Sequence, residues 1–287
     1  MYKIGILQLT QNLDSAVHGF KEALKNIEAE YLYFNGDGTL EKLPAFAQKL
    51  VEEKVDLIFA CTTPAAKAAI AASDTIPVVY TPVFDPISVG LAESMDAPGG
   101  HATGVSGMVS ASDKVAFIEE LLPDARTIAM PFDPNDENAK IETANFKAAA
   151  DGHFTIVELP IASETDISEL SELLTDDMDA VFMPIGKLLE DNFASIVYYT
   201  DERDLPLIAS HAPNVVGGAI GGLVANHETL GFDCGQKAIE ILGGKDAGTI
   251  PVGSVKSPDV LLNQYAADNL DIELASSLVE RAKEIYN

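Results

Sequence analysis

The chain has 287 residues, 47% of them hydrophobic and 22% charged, a globular composition with apolar material for two cores of ordinary size. Lys and Arg number 18 against 45 Asp and Glu, a formal net charge of −27, and so acidic a surface repels phosphate backbones and anionic lipid. Nucleic acid is therefore not an expected partner, and the acid is unevenly spread: residues 1–110 hold 7 basic and 13 acidic side chains, residues 111–225 hold 6 and 22.

Taken in order, the chain alternates short apolar runs with helical patterns. Runs at 3–7, 31–34, 55–60, 78–80, 127–130, 155–159, 180–183, 207–209 and 219–224 are apolar on both faces, as a parallel sheet covered by helices requires. Between them, apolar residues three and four apart mark helices, for example Ala16-Gly19-Phe20-Ala23-Leu24-Ile27 and Val115-Phe117-Ile118-Leu121-Leu122. The alternation predicts an α/β architecture. It pauses between Pro82 and Ser112, a stretch rich in Pro and Gly, and resumes at Asp113. That pause reads as the passage from one domain to the next. Further passages are expected at Ala225–Glu228 and at Ser254–Asn263, before a last helix over Ile272–Tyr286. The expected division is residues 1–108 plus 227–256 in lobe I and 109–226 plus 257–287 in lobe II. Three crossings imply a hinge, with ligand chemistry at the carboxyl ends of the strands.

Cys61 and Cys234 are too few for a disulfide framework or a structural zinc site, and the five histidines show no metal-ligand spacing. No cofactor and no metal are expected. No run approaches a membrane span, and no basic-then-apolar leader precedes Lys3. The chain reads as cytosolic or as an exported protein after leader removal.

Three strand-end turns carry possible chemistry. Cys61-Thr62-Thr63-Pro64-Ala65-Ala66 follows an apolar run, with Thr63 suited to cap a helix and Pro64 to its first position. Free N–H groups at such an end favour an anion, although a capped helix with no ligand fits as well. Phe84-Asp85-Pro86 offers an acid for an ammonium and a flat apolar wall, or simply a turn. Phe132-Asp133-Pro134-Asn135-Asp136-Glu137-Asn138 opens a helix, placing Asn138 at a strand's end. Ser210-His211 ends another strand, and His227 is expected to cap the helix after Asn226. No G-x-S-x-G elbow and no phosphate loop is present.

Together, KLVEEKVDLIFACTTPAAKAA, IPVVYTPVFDPISVGLAE, PGGHATGVS, IEELLPDARTIAM, DAVFMPIGKLL, LPLIASHAPNVVGGAIGGL and LGFDCGQKAIEILGG resemble the solute-binding proteins of ABC importers, of the tryptophan/tyrosine type. The resemblance implies two Rossmann-like lobes with parallel sheets and a three-crossing hinge, as in type I periplasmic binding proteins. It implies a ligand carboxylate at Thr62, Thr63, Pro64 and Ala65, with Gln8, Phe84 and Asp85 beside it, and Asn138, Gly186, His211 and Asn226 completing the site. An aromatic or branched apolar amino acid, or a related aromatic acid, is the implied solute. The implied partner is an ABC permease, and the implied form is a monomer outside the cytoplasm, membrane-anchored, without its leader. The chain departs from the family pattern at Ile185-Gly186-Lys187 and at Ser210-His211, where acids or amides are common. An acid lacking the amine therefore fits about as well. Two alternatives stay open: a ligand-sensing module, and a racemase working through Cys61 and Cys234, against which the helix-start position of Cys234 counts.

Overall fold

The computed structural model describes residues 1–287, which divide into unit 1, residues 1–108 and 225–256, and unit 2, residues 109–224 and 257–287. The chain enters unit 1 through β1 (Tyr2–Gln8), α1 (Asp14–Ala23), β2 (Ala29–Asn35), α2 (Leu43–Glu52), β3 (Leu57–Cys61), α3 (Thr63–Ala72), β4 (Val78–Val83) and β5 (Ala102–Ser106). Unit 2 then takes α4 (Ala111–Leu121), β6 (Thr127–Phe132), α5 (Glu137–Ala149), β7 (Thr155–Pro160), α6 (Glu164–Ser168), α7 (Leu170–Leu173), β8 (Ala180–Met183), α8 (Lys187–Asp191), α9 (Phe193–Asp201), β9 (Leu207–Ala209), α10 (Ala212–Val216) and β10 (Gly221–Val224). After α11 (His227–Leu242) in unit 1, the chain ends in unit 2 with β11 (Asp259–Asn263), α12 (Gln264–Asn269), α13 (Ser276–Arg281) and β12 (Ala282–Tyr286).

Unit 1 holds a parallel sheet in the order β2-β1-β3-β4-β5. Its alternating side chains feed two cores. Leu57, Phe59 and Cys61 face α1 and α11, where the Phe20 and Phe59 rings stack 4.1 Å apart, while Ile58 and Ala60 face Leu43, Ala47 and Leu50 of α2. Unit 2 holds a seven-stranded sheet, β12-β11-β10-β9-β8-β6-β7, parallel except where β10 meets β11.

Two segments differ from the sequence reading. The Pro/Gly-rich pause contains β5, whose small residues hide it. A Cβ on Gly104 would lie 2.2 Å from the Tyr80 carbonyl oxygen and 2.3 Å from its ring, so glycine is the residue that lets β5 pair beside the buried Tyr80. The expected last helix ends at Arg281, and Ala282–Tyr286 pairs with β11 instead. Its Lys and Glu suit a helix, but an edge strand tolerates such charge, and pairing overrides propensity here.

Candidate functional site

In unit 1 the carboxyl ends of β1, β3 and β4 lie side by side, with Gln8 paired to Cys61 and Cys61 to Thr81. The turn after β3 is the most constrained point of this edge. Thr62, not Thr63, caps α3, one residue earlier than the sequence implied. Its φ of 94° and ψ of 157° lie in a region populated essentially by glycine, and holding a β-branched residue there costs about 1–3 kcal/mol. The hydroxyl recovers little, since Thr62 Oγ1 is 3.5 Å from the Ala65 N–H, a weak hydrogen bond. What fixes the turn is backbone: Thr62 N donates to the Thr81 carbonyl at 3.1 Å, and the Thr62 carbonyl accepts from Ala66 N at 3.0 Å. The strained turn thus presents the amino end of α3, where the first N–H groups have no partner inside the helix and an anion is favoured. Pro64 and Thr63 are half-buried beside it and Ala65 is buried.

Thr62→Gly is expected to separate fold from binding. Relieving the strain, less the extra chain entropy of glycine, should raise the stability of the ligand-free protein by about 1 kcal/mol, while the lost hydroxyl weakens ligand affinity. Paired denaturation and calorimetric titration measure both signs. A fall in stability would mean that the turn is not strained.

Gln8 is fully buried and acts as a strut. Its Oε1 accepts from the Tyr33 hydroxyl at 2.8 Å and its Nε2 donates to Asp14 Oδ1 at 3.2 Å, while Asn35 Nδ2 donates to the Tyr33 hydroxyl at 3.1 Å. Asp85 turns back on its own loop, accepting from Ile87 N at 3.0 Å, from Ser88 N at 3.1 Å and from the Ser88 hydroxyl. Burial works to raise the Asp85 pKa, yet these donors outweigh it and hold it below the usual value. Asn226 caps α11, its Oδ1 accepting from Thr229 N at 3.0 Å, so the cap is Asn226 rather than His227. Cys61 and Cys234 are both fully buried, and burial pushes both thiols up. An acid–base pair of cysteines needs accessible, easily ionised thiols, the opposite of this pair.

In unit 2 the carboxyl ends of β8 and β9 are tied together by Glu142 of α5, the helix that follows β6. Asp136 caps that helix, accepting from Asn138 N at 2.8 Å and Ala139 N at 3.2 Å. Glu142 Oε2 accepts from Ile185 N at 2.8 Å, and its Oε1 accepts from the Ser210 hydroxyl and from the Lys114 ammonium of α4. Lys114 and Glu142 are 4% and 2% exposed, which places a full ion pair inside the unit. Two of the loops it anchors carry Gly186 and His211. Gly186 lies against the start of α5, where an added Cβ would sit 3.6 Å from the Ala139 methyl, and Asn138 is half-buried on that same turn. Glu190 joins them, accepting from Gly186 N at 3.3 Å and standing 3.5 Å from His211 Nδ1. So an acid does stand beside His211, supplied by α8 rather than by the turn itself. Asp14, Tyr33, Glu142, Lys114 and Glu190 escaped the sequence reading because side-chain contacts across the fold place them.

A family model described as ABC transporter substrate binding protein matches residues 3–286. The tyrosine-binding protein of Clostridioides difficile strain R20291 is 30% identical over 285 residues, covering 96% of this chain and 82% of that one. Among solved structures, the ligand-free, open form of a Clostridium difficile substrate-binding protein with adhesive properties superposes with a TM-score of 0.90 at 28% identity over the whole of both chains. An ABC domain from Streptococcus pneumoniae in complex with L-Trp gives 0.82 at 26% identity, over 99% of each chain.

Proposed function

We propose a function from the premise that this chain belongs to the ABC transporter substrate-binding protein family: it binds an aromatic α-amino acid, tyrosine or tryptophan, for uptake. Its fold is that of the type I periplasmic binding proteins, and its relatives are solute-binding proteins, not enzymes. The observation that carries the reading is the strained Thr62 turn at the amino end of α3. Strain of this kind persists where the surrounding structure enforces it, and the half-buried helix end suits a ligand carboxylate. The names of the relatives supply the aromatic side chain: tyrosine in one, L-Trp in another. Phe84, half-buried beside Asp85, offers the ring a flat apolar neighbour. Asn138, Gly186 and His211 are the proposed contribution of unit 2. In this reading the protein works as a monomer outside the cytoplasmic membrane, tethered to it, and delivers to an ABC permease. No helix is long and apolar enough to cross a membrane.

Thermal unfolding with a panel of amino acids, aromatic acids and sugars tests the proposal. Ligand at a hundredfold excess over Kd stabilises by about 2.7 kcal/mol, a shift of several degrees for a chain of this size. Tyrosine or tryptophan should give the largest shift. A panel in which neither moves the transition, or in which a sugar or branched aliphatic amino acid moves it more, would remove the aromatic reading.

A further inference from the structure

We propose that Asp14 is the carboxylate that holds the ligand's α-ammonium group, an inference that rests on the amino-acid reading above. The two charged groups of an α-amino acid are bonded to the same carbon. The acid that meets the ammonium must therefore stand next to the turn that takes the carboxylate. In unit 1 the strands flanking β3 are β1 and β4, each about 4.8 Å away, and each brings one acid to the carboxyl edge. On the β4 side it is Asp85, whose two oxygens are already committed to Ile87 and Ser88. An ammonium arriving there would share a carboxylate most of whose lone-pair sites are already taken by three donors of its own loop.

On the β1 side it is Asp14. Its Oδ1 takes the Gln8 amide, and its Oδ2 accepts no hydrogen bond from the chain. Gln8 is itself clamped, fully buried and held by Tyr33 from its other end, and it pairs in register with Cys61, the residue before Thr62. The strut thereby fixes a carboxylate beside the α3 turn while leaving one oxygen to the exterior. The Cys61 thiol feels that carboxylate, which helps raise its pKa after burial has done most of the work. A charged donor on that oxygen makes a hydrogen bond roughly twice as strong as a neutral one.

Calorimetry on the full chain, wild type and Asp14→Asn, tests this with three ligands at neutral pH. L-tyrosine carries both amine and phenol, L-phenylalanine lacks the phenol, and 3-(4-hydroxyphenyl)propanoate lacks the amine. Asp14→Asn keeps a partner for Gln8 and removes the charge. It should weaken both amino acids on the order of 10- to 100-fold and leave the propanoate no weaker, since the variant also removes the repulsion between two carboxylates. Unchanged affinity for the amino acids would overturn the assignment. So would an equal loss for all three ligands, which would mean a disturbed edge, or a loss for tyrosine but not phenylalanine, which would place Asp14 at the phenol. A wild-type protein that binds no aromatic amino acid removes the proposed function and this inference with it. A wild type that binds, beside a variant that binds equally well, removes the inference alone.

Discussion

Glu142→Leu is expected to cost unit 2 about 3–5 kcal/mol, the usual consequence of breaking a buried ion pair from one side. The magnitude follows from what is stranded. Lys114 remains buried, its ammonium 5.9 Å from the centre of the Phe182 ring, with no counter-charge. Two further donors lose their acceptor, Ile185 N and the Ser210 hydroxyl, and each half-buried donor left without one adds a smaller cost of its own. Replacing both partners, as Lys114→Met with Glu142→Leu, should restore most of the stability, because the pair gains little over well-packed apolar side chains. It should not restore the loops, which hang on the carboxylate and not on the lysine. Denaturant unfolding of the three variants measures the first effect, and titration with tyrosine or tryptophan measures the second. A single variant shifted by less than about 1 kcal/mol would mean that water reaches the pair. A double variant that regains full affinity would mean that Glu142 matters to the fold alone.

Legibility in the sequence followed the range of the forces involved. The parallel strands were readable because burial on both faces leaves continuous apolar runs such as Leu57-Ile58-Phe59-Ala60. β5 was not, since Ala102-Thr103-Gly104-Val105-Ser106 is shaped by the Tyr80 side chain it accommodates, a neighbour from another strand. The α3 turn was visible to within one residue. Thr63 looked the better cap by pattern, and Thr62 took the role because the Thr81 carbonyl holds its N–H and forces a positive φ that no local preference favours. Side-chain assignments degraded furthest. Asp85 looked available for an ammonium and proves turned on its own loop, whereas Asp14, which the sequence did not single out, proves held by Gln8. Glu142 was one acid among many on an acidic segment. Its role comes from Ile185 and Ser210, 43 and 68 residues away, a range over which spacing along the chain carries no signal.

Gly231→Ala is expected to be the most damaging single-methyl addition in unit 1, at about 4 kcal/mol or more. The reason lies in the crossing of α1 and α11, where the backbones themselves touch. A Cβ on Gly231 would lie 1.9 Å from the Ala16 carbonyl oxygen, and one on Gly19 would lie 1.9 Å from the Glu228 carbonyl oxygen. No rotamer relieves a clash between a Cβ and a main-chain atom, so one helix must move, and cores resist such movement because they are close-packed. The helix that moves would be α11, which Leu230, Cys234 and Ala238 seat against the face of the sheet carrying Phe59 and Cys61. Helix propensity works the other way, favouring alanine over glycine by about 1 kcal/mol, and the clash has to exceed that gain. Glu240→Ala, on the same helix and half-exposed, is the surface control: it gives up only an exposed ion pair with Lys245 and should stay within about 1 kcal/mol of the parent. Chemical denaturation of the two variants decides between them. If Gly231→Ala proved as benign as Glu240→Ala, the two helices would have room to part, and β3 would lack the rigid backing that holds Thr62 in a glycine-only conformation.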